Sequence, residues 1–253
     1  MRIPFQTVRK QKIISGIMHI PENGIRKNVV IMCYGFNGCR SDVHRIAVKL
    51  GDFLEKRGIV LVRFDYRGQG NSQGDMNNVT IQSRVDDVCS VISFIQGCFN
   101  NSNLPISLIG FSDGAKIASM VTACQKIKSL ILWNPIFGTR NSSYSHKENG
   151  RMANAIFRNQ KSGTLSYQYY GLPINISYLN ELVNEISISY FEKNNCHKFG
   201  VWGGDDKFTV GTRNSLIQKM DDYSIVPNAG HLFFGKKSEI LVFESTYKFL
   251  KKS

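Results

Sequence analysis

The amino-acid sequence predicts an α/β protein built on a mostly parallel, doubly wound sheet. Two observations support this fold class. Short continuous apolar runs, typical of strands buried on both faces of a parallel sheet, alternate with segments whose apolar residues recur at helical spacing. The connections between them are short, as in βαβ units. With 253 residues, 42% of them hydrophobic, the chain can bury a sizeable core, and we expect a single domain over residues 1–253.

The elements follow in a regular order. Residues 3–8 and 12–20 are predicted as two antiparallel edge strands. Further strands are predicted at 29–33, 59–64, 106–109, 130–133, 199–202 and 223–226. Helices are predicted at 43–54, 84–99, 115–121, 178–191, 212–220 and 238–251. Ser41 or Asp42 can cap the first of these helices, and Gly58 ends it.

Residues 138–180 depart from this alternation. The segment is polar and aromatic, and it contains no strand-like apolar run. A stretch of this length within an α/β repeat is more typical of an inserted lid than of a structureless loop. We therefore expect a short lid. Its side chains Tyr167 and Tyr170 are candidates to line a substrate pocket, although they could equally pack the lid on the body.

The pentapeptide Gly110-Phe111-Ser112-Asp113-Gly114 lies between a predicted strand and a predicted helix. A Gly-x-Ser-x-Gly sequence in this context forms a sharp turn that exposes the serine hydroxyl as a nucleophile. The two glycines remove β-carbons that would collide in such a turn. The alternative is a glycine-flanked turn whose serine only caps the following helix.

A nucleophilic serine needs a base, ordinarily a histidine whose other nitrogen is held by a carboxylate. His231 follows the last predicted strand and Asp206 follows the strand before it, so both come to the sheet edge that carries Ser112. The chain order serine, aspartate, histidine suits a serine at this kind of turn. Asp205 is the alternative acid. We prefer Asp206 because it lies past the turn after the strand, where its side chain can reach back across the sheet edge. Asp205 would then cap the turn.

Acyl transfer also requires N–H donors directed at the developing oxyanion. The backbone N–H of Asp113, the residue after the serine, is the first expected donor. The second is the backbone N–H of Phe36, in the glycine-bracketed loop after the strand at 29–33. In both residues we expect the amide to matter more than the side chain.

The chain resembles α/β-hydrolases of the serine aminopeptidase-like group, which includes bacterial cinnamoyl and feruloyl esterases and monoacylglycerol-lipase-like enzymes. Tyr34-Gly35-Phe36-Asn37-Gly38 is similar to the group's His-Gly-Phe-x-Gly, and residues 63–74 are similar to its Phe-Asp-x-x-Gly-x-Gly-x-Ser-x-Gly. The pentapeptide, Gly203–Asp206 and Gly230-His231 complete the resemblance, which spans about 28–135 and 197–250. It implies an α/β-hydrolase fold.

Two features depart from the group's pattern. Tyr34 stands where the group usually has histidine, and we add Tyr34 to the candidate pocket residues. The backbone donor beside it should be unaffected by this change. The insert at 138–180 does not match a particular esterase lid, so no individual substrate is implied.

The residues and the resemblance together predict a serine hydrolase that cleaves a carboxylic ester through an acyl-enzyme, with no metal or organic cofactor. An alternative is a thioesterase or acyltransferase that acts on acyl groups held by an acidic carrier protein. A second alternative is a non-catalytic, ligand-binding homologue. The acyl chain, the leaving group and the oligomeric state are not indicated by the sequence.

Composition limits the other classes. The net charge is +13, but the basic residues are scattered without an aromatic-interleaved stripe, so we expect no nucleic-acid partner. No run of about 18 apolar residues predicts a membrane span. The N-terminal segment lacks the features of a signal peptide, so we expect a cytoplasmic protein. The six cysteines form no Cys-x-x-Cys pair, and we expect most of them to be buried.

Overall fold

The computed structural model describes residues 1–22, 28–100, 104–137, 156–158, 160, 163, 165–169, 172–182 and 186–253. Its strands are β1 (Arg2–Arg9), β2 (Lys12–His19), β3 (Val29–Cys33), β4 (Val60–Phe64), β5 (Ile106–Phe111), β6 (Ser129–Trp133), β7 (Ile156–Arg158), β8 (Leu165–Tyr169), β9 (Leu172–Asn175), β10 (His197–Gly203) and β11 (Asp222–Val226). Its α-helices are α1 (Ile46–Glu55), α2 (Ile81–Cys98), α3 (Gly114–Val121), α4 (Ile176–Leu182), α5 (Ile186–Lys193), α6 (Val210–Ile217) and α7 (Lys236–Lys252).

Eight strands form one sheet in the order β1-β2-β4-β3-β5-β6-β10-β11. The pairs β1–β2 and β2–β4 are antiparallel. Strands β4, β3, β5, β6, β10 and β11 are parallel to one another. The predicted mostly parallel sheet is confirmed. One detail of the prediction was wrong: β2 is not an edge strand, because its residues 16–19 also pair with β4.

The continuous apolar runs in the sequence reflect strands buried on both faces. Every residue of β3, β4, β5 and β6 is buried. Successive residues of β5 point to opposite sides, so Leu108 packs in the core under α2 and α3, and Ile109 packs in the core under α1 and α7. Helices thus cover both faces, as a doubly wound sheet requires.

The helix ends follow local hydrogen bonding. The carboxylate of Asp42 accepts a hydrogen bond from the Val43 N–H at 2.7 Å and starts a short 3-10 helix, Val43–Arg45, directly before α1. Thr80 and Ser83 form a reciprocal capping box at the start of α2. The helix predicted at 178–191 corresponds to α4 and α5, and residues 183–185 between them lie outside the described residues.

Strands β7, β8 and β9 form a small antiparallel sheet within the segment predicted to be a lid. No strand was assigned to this segment in the sequence analysis. The inward-facing Ser166 of β8 is buried against the body by a hydrogen bond from its hydroxyl to Asn77 Oδ1, at 2.5 Å. Because a polar side chain anchors this strand to the body, the strand does not need a continuous apolar sequence.

The cysteines also differ from expectation. Cys33 is buried in β3, whereas the other five are partly or fully exposed. Cys89 and Cys98 lie on α2, a helix that buries only one face, which explains why a small apolar side chain can stay at the surface there. Among the described helices, none combines the length and apolarity needed to cross a bilayer.

Candidate active site

Ser112 occupies the turn between β5 and α3 with a left-handed backbone, φ +55°. The surrounding backbone approaches too closely for side chains at the two glycines. A Cβ on Gly110 would lie 2.7 Å from Ala115 Cα, and a Cβ on Gly114 would lie 2.1 Å from the Cys33 carbonyl oxygen. The glycines therefore permit a strained turn that places the serine beyond the end of its strand.

The structure brings together the three side chains predicted to form the site. Ser112 Oγ lies 2.9 Å from His231 Nε2, and His231 Nδ1 lies 2.9 Å from Asp206 Oδ2. A carboxylate can only accept, so the Nδ1 atom carries the proton in this pair. In the neutral ring Nε2 is then an acceptor, directed at the serine hydroxyl. This arrangement can remove a proton from Ser112.

Asp206 is the buried acid of the pair, and Asp205 is exposed. Besides His231, the carboxylate accepts hydrogen bonds from the Phe208 N–H at 2.9 Å and from the Thr209 hydroxyl at 2.6 Å. Burial alone would raise the pKa of Asp206, but these three donors outweigh burial and lower the pKa below its usual value. The carboxyl group is therefore ionised at neutral pH and can stabilise a positive charge on His231.

The loop at residues 34–38 packs directly against the serine. A Cβ on Gly35 would lie 3.0 Å from Ser112 Cβ and 3.4 Å from Ser112 Oγ. Phe36, whose N–H was predicted as an oxyanion donor, is the next residue, and its ring stacks on Tyr178 at 6.3 Å. Asp113, the other predicted donor, stands at the N-cap of α3. Its carboxylate is buried and accepts from Lys116 Nζ at 2.8 Å.

The predicted pocket tyrosines have different environments. Tyr34 is 1% exposed, and its hydroxyl accepts a hydrogen bond from the Tyr66 N–H at 2.6 Å. Tyr34 is thus a core residue, and its assignment to the pocket was wrong because its polar atom already anchors the neighbouring loop. Tyr167 lies on β8, partly buried against the core. Tyr170 lies outside the described residues.

Asn134 is a site residue that the sequence analysis did not identify. It follows β6, is fully buried, and has a left-handed φ of +41°. Its Nδ2 donates to the His231 carbonyl oxygen at 2.7 Å, and its Oδ1 accepts from the Gly203 N–H at 2.8 Å. Asn134 therefore links the loop of the histidine to the strand of the acid. Its position after a buried strand was the available signal.

A second titratable cluster, His19, Asp52 and Glu55, has the residue types of a metal site. His19 Nε2, however, accepts a hydrogen bond from Arg63 Nε at 2.9 Å, so the ring proton of the neutral histidine is on Nδ1. That nitrogen faces Asp52 at 3.4 Å and Glu55 at 3.6 Å. The proton on Nδ1 occupies the position that a metal ion would need. We therefore interpret the cluster as structural.

The parallel sheet and the serine turn between β5 and α3 define the class as an α/β hydrolase. Residues 25–171, more than half of the chain, match the hydrolase family described as "Serine aminopeptidase, S33". The chain belongs to this family.

Known proteins agree with this class. Est1E from Butyrivibrio proteoclasticus, solved with ferulic acid bound, superimposes with a TM-score of 0.76 over 98% of both chains at 17% identity. The alpha/beta hydrolase GrgF from Penicillium sp. sh18 gives a TM-score of 0.73 over 100% of this chain and 98% of its own at 15% identity. An uncharacterized 31.7 kDa Escherichia coli protein from the traX-finO intergenic region is 28% identical over 130 residues, 49% of this chain. The match spans 44% of that relative's length.

Proposed function

We propose that this protein is a serine hydrolase that cleaves a carboxylic ester through an acyl-enzyme intermediate. The observation that carries the proposal is the continuous hydrogen-bonded array from Ser112 through His231 to the ionised Asp206. Each contact is within the range required of a nucleophile, its base and the group that orients the base.

In the first half of the reaction, Ser112 Oγ attacks the ester carbonyl carbon while its proton passes to His231 Nε2. Asp206 stabilises the resulting imidazolium. The backbone N–H groups of Phe36 and Asp113 are the proposed donors to the oxyanion. When the tetrahedral intermediate collapses, the carbon–oxygen bond to the alcohol breaks and the alcohol leaves with the proton from His231.

In the second half, His231 takes a proton from water, whose oxygen attacks the acyl carbon of the ester on Ser112. Collapse of this intermediate breaks the bond to Ser112 Oγ, returns the proton to the serine and releases a carboxylic acid. The reaction needs only water as co-substrate. Asp206 holds the same hydrogen bond to His231 Nδ1 throughout.

An aromatic or alkyl acyl ester is the substrate class that we propose. The ring of Phe208 is 61% exposed and lies 5.0 Å from the His231 ring, so it offers apolar surface beside the reacting groups. The binding of ferulic acid by the structurally similar Est1E is consistent with an aromatic acyl group. At 17% identity this likeness concerns the fold.

Labelling with a fluorophosphonate probe, followed by mass mapping of the adduct, tests the nucleophile. The wild type should carry the adduct on Ser112, and Ser112→Ala should lose both the adduct and turnover of p-nitrophenyl esters. Ser93→Ala removes an exposed hydroxyl from α2 and serves as the matched control. A folded wild type that is not labelled would contradict the proposal and favour a non-catalytic, ligand-binding role.

The second candidate function is a thioesterase or acyltransferase acting on an acidic carrier protein. The observation that favours it is the net charge of +13, since opposite charge accelerates association at low ionic strength. Acyl thioesters compared with p-nitrophenyl esters of the same chain length would separate the two candidates. Preference for a carrier-bound thioester with a steep decline in added salt would replace the esterase proposal. A cytoplasmic location also remains a prediction.

A further inference from the structure

The loop that follows β11 carries His231, and two side chains from distant parts of the chain bind its consecutive carbonyl groups. Asn134 donates to the carbonyl oxygen of His231 at 2.7 Å. His44, from the 3-10 helix before α1, places Nε2 2.7 Å from the carbonyl oxygen of Leu232, the next residue. A carbonyl oxygen only accepts, so His44 donates this hydrogen bond.

His44 is itself held in place. Its Nδ1 lies 2.8 Å from Glu239 Oε1 in α7, without hydrogen-bond geometry. Lys49 Nζ donates to the same Glu239 oxygen at 2.6 Å. The Phe234 ring lies against the imidazole, with 4.6 Å between centroids. These contacts restrict rotation of the ring, so His44 can hold Leu232 in a defined position.

The backbone around His44 is strained. Asp42, His44 and Arg45 have φ values of +56°, +38° and +63°, in the region that non-glycine residues rarely adopt. A left-handed backbone is sterically unfavourable for such residues, and the conformation persists only where other contacts enforce it. Strain in three of four consecutive residues indicates that this segment serves more than the connection between β3 and α1.

We propose that His44 is a positioning residue for His231, a role that presupposes the function proposed above for His231. Held beside Glu239, His44 fixes the Leu232 carbonyl and thereby keeps the His231 ring within hydrogen-bond reach of Ser112. Displacement of a reacting group by about 1 Å can cost about 100-fold in rate. Removing the His44 donor should therefore reduce the rate of the chemical step while leaving substrate binding largely unchanged.

The variants His44→Ala and His44→Gln test this role. The glutamine side chain can present an N–H to the Leu232 carbonyl, whereas alanine cannot. We expect His44→Ala to lower kcat about 10- to 30-fold with KM within about 2-fold of wild type, and His44→Gln to recover most of kcat. His197→Ala, which removes an exposed histidine at the start of β10, is the matched control and should behave as wild type.

Rates should be expressed per active site titrated with the fluorophosphonate probe, so that loss of folded protein does not count as loss of activity. A merely structural His44 would leave kcat per titrated site unchanged, and that result would overturn the proposal. Equal losses in His44→Ala and His44→Gln, with both variants folded, would also overturn it.

A spectroscopic readout keeps the positioning role separate from the proposed function. The proton that His231 Nδ1 donates to Asp206 should give a strongly downfield proton resonance in NMR, whether or not an ester is hydrolysed. We expect this resonance to broaden or vanish in His44→Ala and to persist in His44→Gln. Its persistence in His44→Ala would contradict the positioning role. An unlabelled wild type would contradict the esterase function alone.

Discussion

Gly35 illustrates how one missing side chain shapes the site. Its Cα lies so close to the serine turn that an added Cβ would come within 3.0 Å of Ser112 Cβ and 3.3 Å of the Phe111 carbonyl oxygen. Contacts of this kind force either the loop or the serine to move by a few tenths of an ångström. The proposed oxyanion donor Phe36 is the next residue, so it would move with the loop.

We predict that Gly35→Ala lowers kcat/KM about 10- to 100-fold while the protein remains folded. Steady-state hydrolysis of a p-nitrophenyl ester and thermal unfolding would measure the two effects. Gly97→Ala is the control, because no atom lies within 4 Å of a Cβ built at Gly97. Wild-type kinetics in Gly35→Ala would contradict the proposed position of the oxyanion donor.

Thr209 is a buried residue that binds the carboxylate of Asp206. It is 1% exposed, and its hydroxyl donates to Asp206 Oδ2, the oxygen that also binds His231. Thr209→Val keeps the shape but removes this donor, so the carboxylate is less stabilised and its pKa rises. We predict a fall in kcat/KM of about 3- to 10-fold, the value of one hydrogen bond. Thr209→Ser, which restores the hydroxyl, should recover most of the activity in the same assay. Equal activity in both variants would exclude a role for the hydroxyl.

For individual residues, the sequence was informative wherever the position of a residue along a strand determined its place in the fold. Ser112, Asp206 and His231 could be predicted because each follows a parallel strand, and such strand ends share one edge. Asn134 and His44 could not be assigned roles, since their partners are backbone carbonyls distant in sequence. Tyr34 was misassigned because a position in a loop does not reveal whether a side chain points into the core.

At the scale of elements, the small sheet β7–β9 depends on one buried asparagine of the body. Asn77 Oδ1 accepts from Ser166 of β8, and the Asn77 carbonyl oxygen accepts from Asn175 Nδ2 at 2.8 Å, at the end of β9. Asn77 Nδ2 donates in turn to Asp75 at 2.8 Å. Ser166 and Asn77 are both buried, with 0% and 2% of their surface exposed.

We predict that Asn77→Ala lowers the free energy of unfolding by about 1–3 kcal/mol, because it leaves the buried Ser166 hydroxyl without an acceptor. Amide hydrogen exchange should accelerate mainly in residues 165–175. Asn78→Ala changes the exposed neighbour and is the control. Uniform acceleration over the whole chain, or none, would show that Asn77 does not anchor this sheet specifically.

The elements themselves could be predicted to very different extents. Strands β3 to β6 were found because burial on both faces requires continuous apolar sequence. Strands β7 to β9 were not found, because a sheet with an exposed face and a polar anchor has no such run. That residues 1–253 form one domain with a lid remains a prediction.

For the molecule as a whole, we expect the buried His19, where β2 packs against α1, to make stability depend on pH. His19 is fully buried between β2 and α1, and a Cβ on Gly51 of α1 would lie 2.5 Å from its ring. Burial, reinforced by the charge of Arg63, lowers the pKa of His19 from 6.5 to about 4. The native state therefore resists protonation of a group that the unfolded chain protonates readily.

Because the native pKa is the lower one, the unfolded state binds more protons as pH falls below 6.5, and stability declines until His19 also titrates in the native state near pH 4. The stabilising contribution is complete above about pH 6.5. We predict that it amounts to about 3 kcal/mol between pH 6.5 and 4. Urea unfolding across this range should show a shallower decline for His19→Gln, whose amide oxygen can still accept from Arg63 but does not titrate.

His197→Gln, at an exposed position, should retain the wild-type pH dependence and controls for the loss of a histidine as such. Carboxylates that titrate in the same range are common to all three proteins, so their contribution cancels in the comparison. If His19→Gln and the wild type lose stability in parallel from pH 6.5 to 4, the acid sensitivity of this fold originates elsewhere. A parallel decline would point to carboxylates other than Asp206, whose lowered pKa makes its contribution disappear only at lower pH.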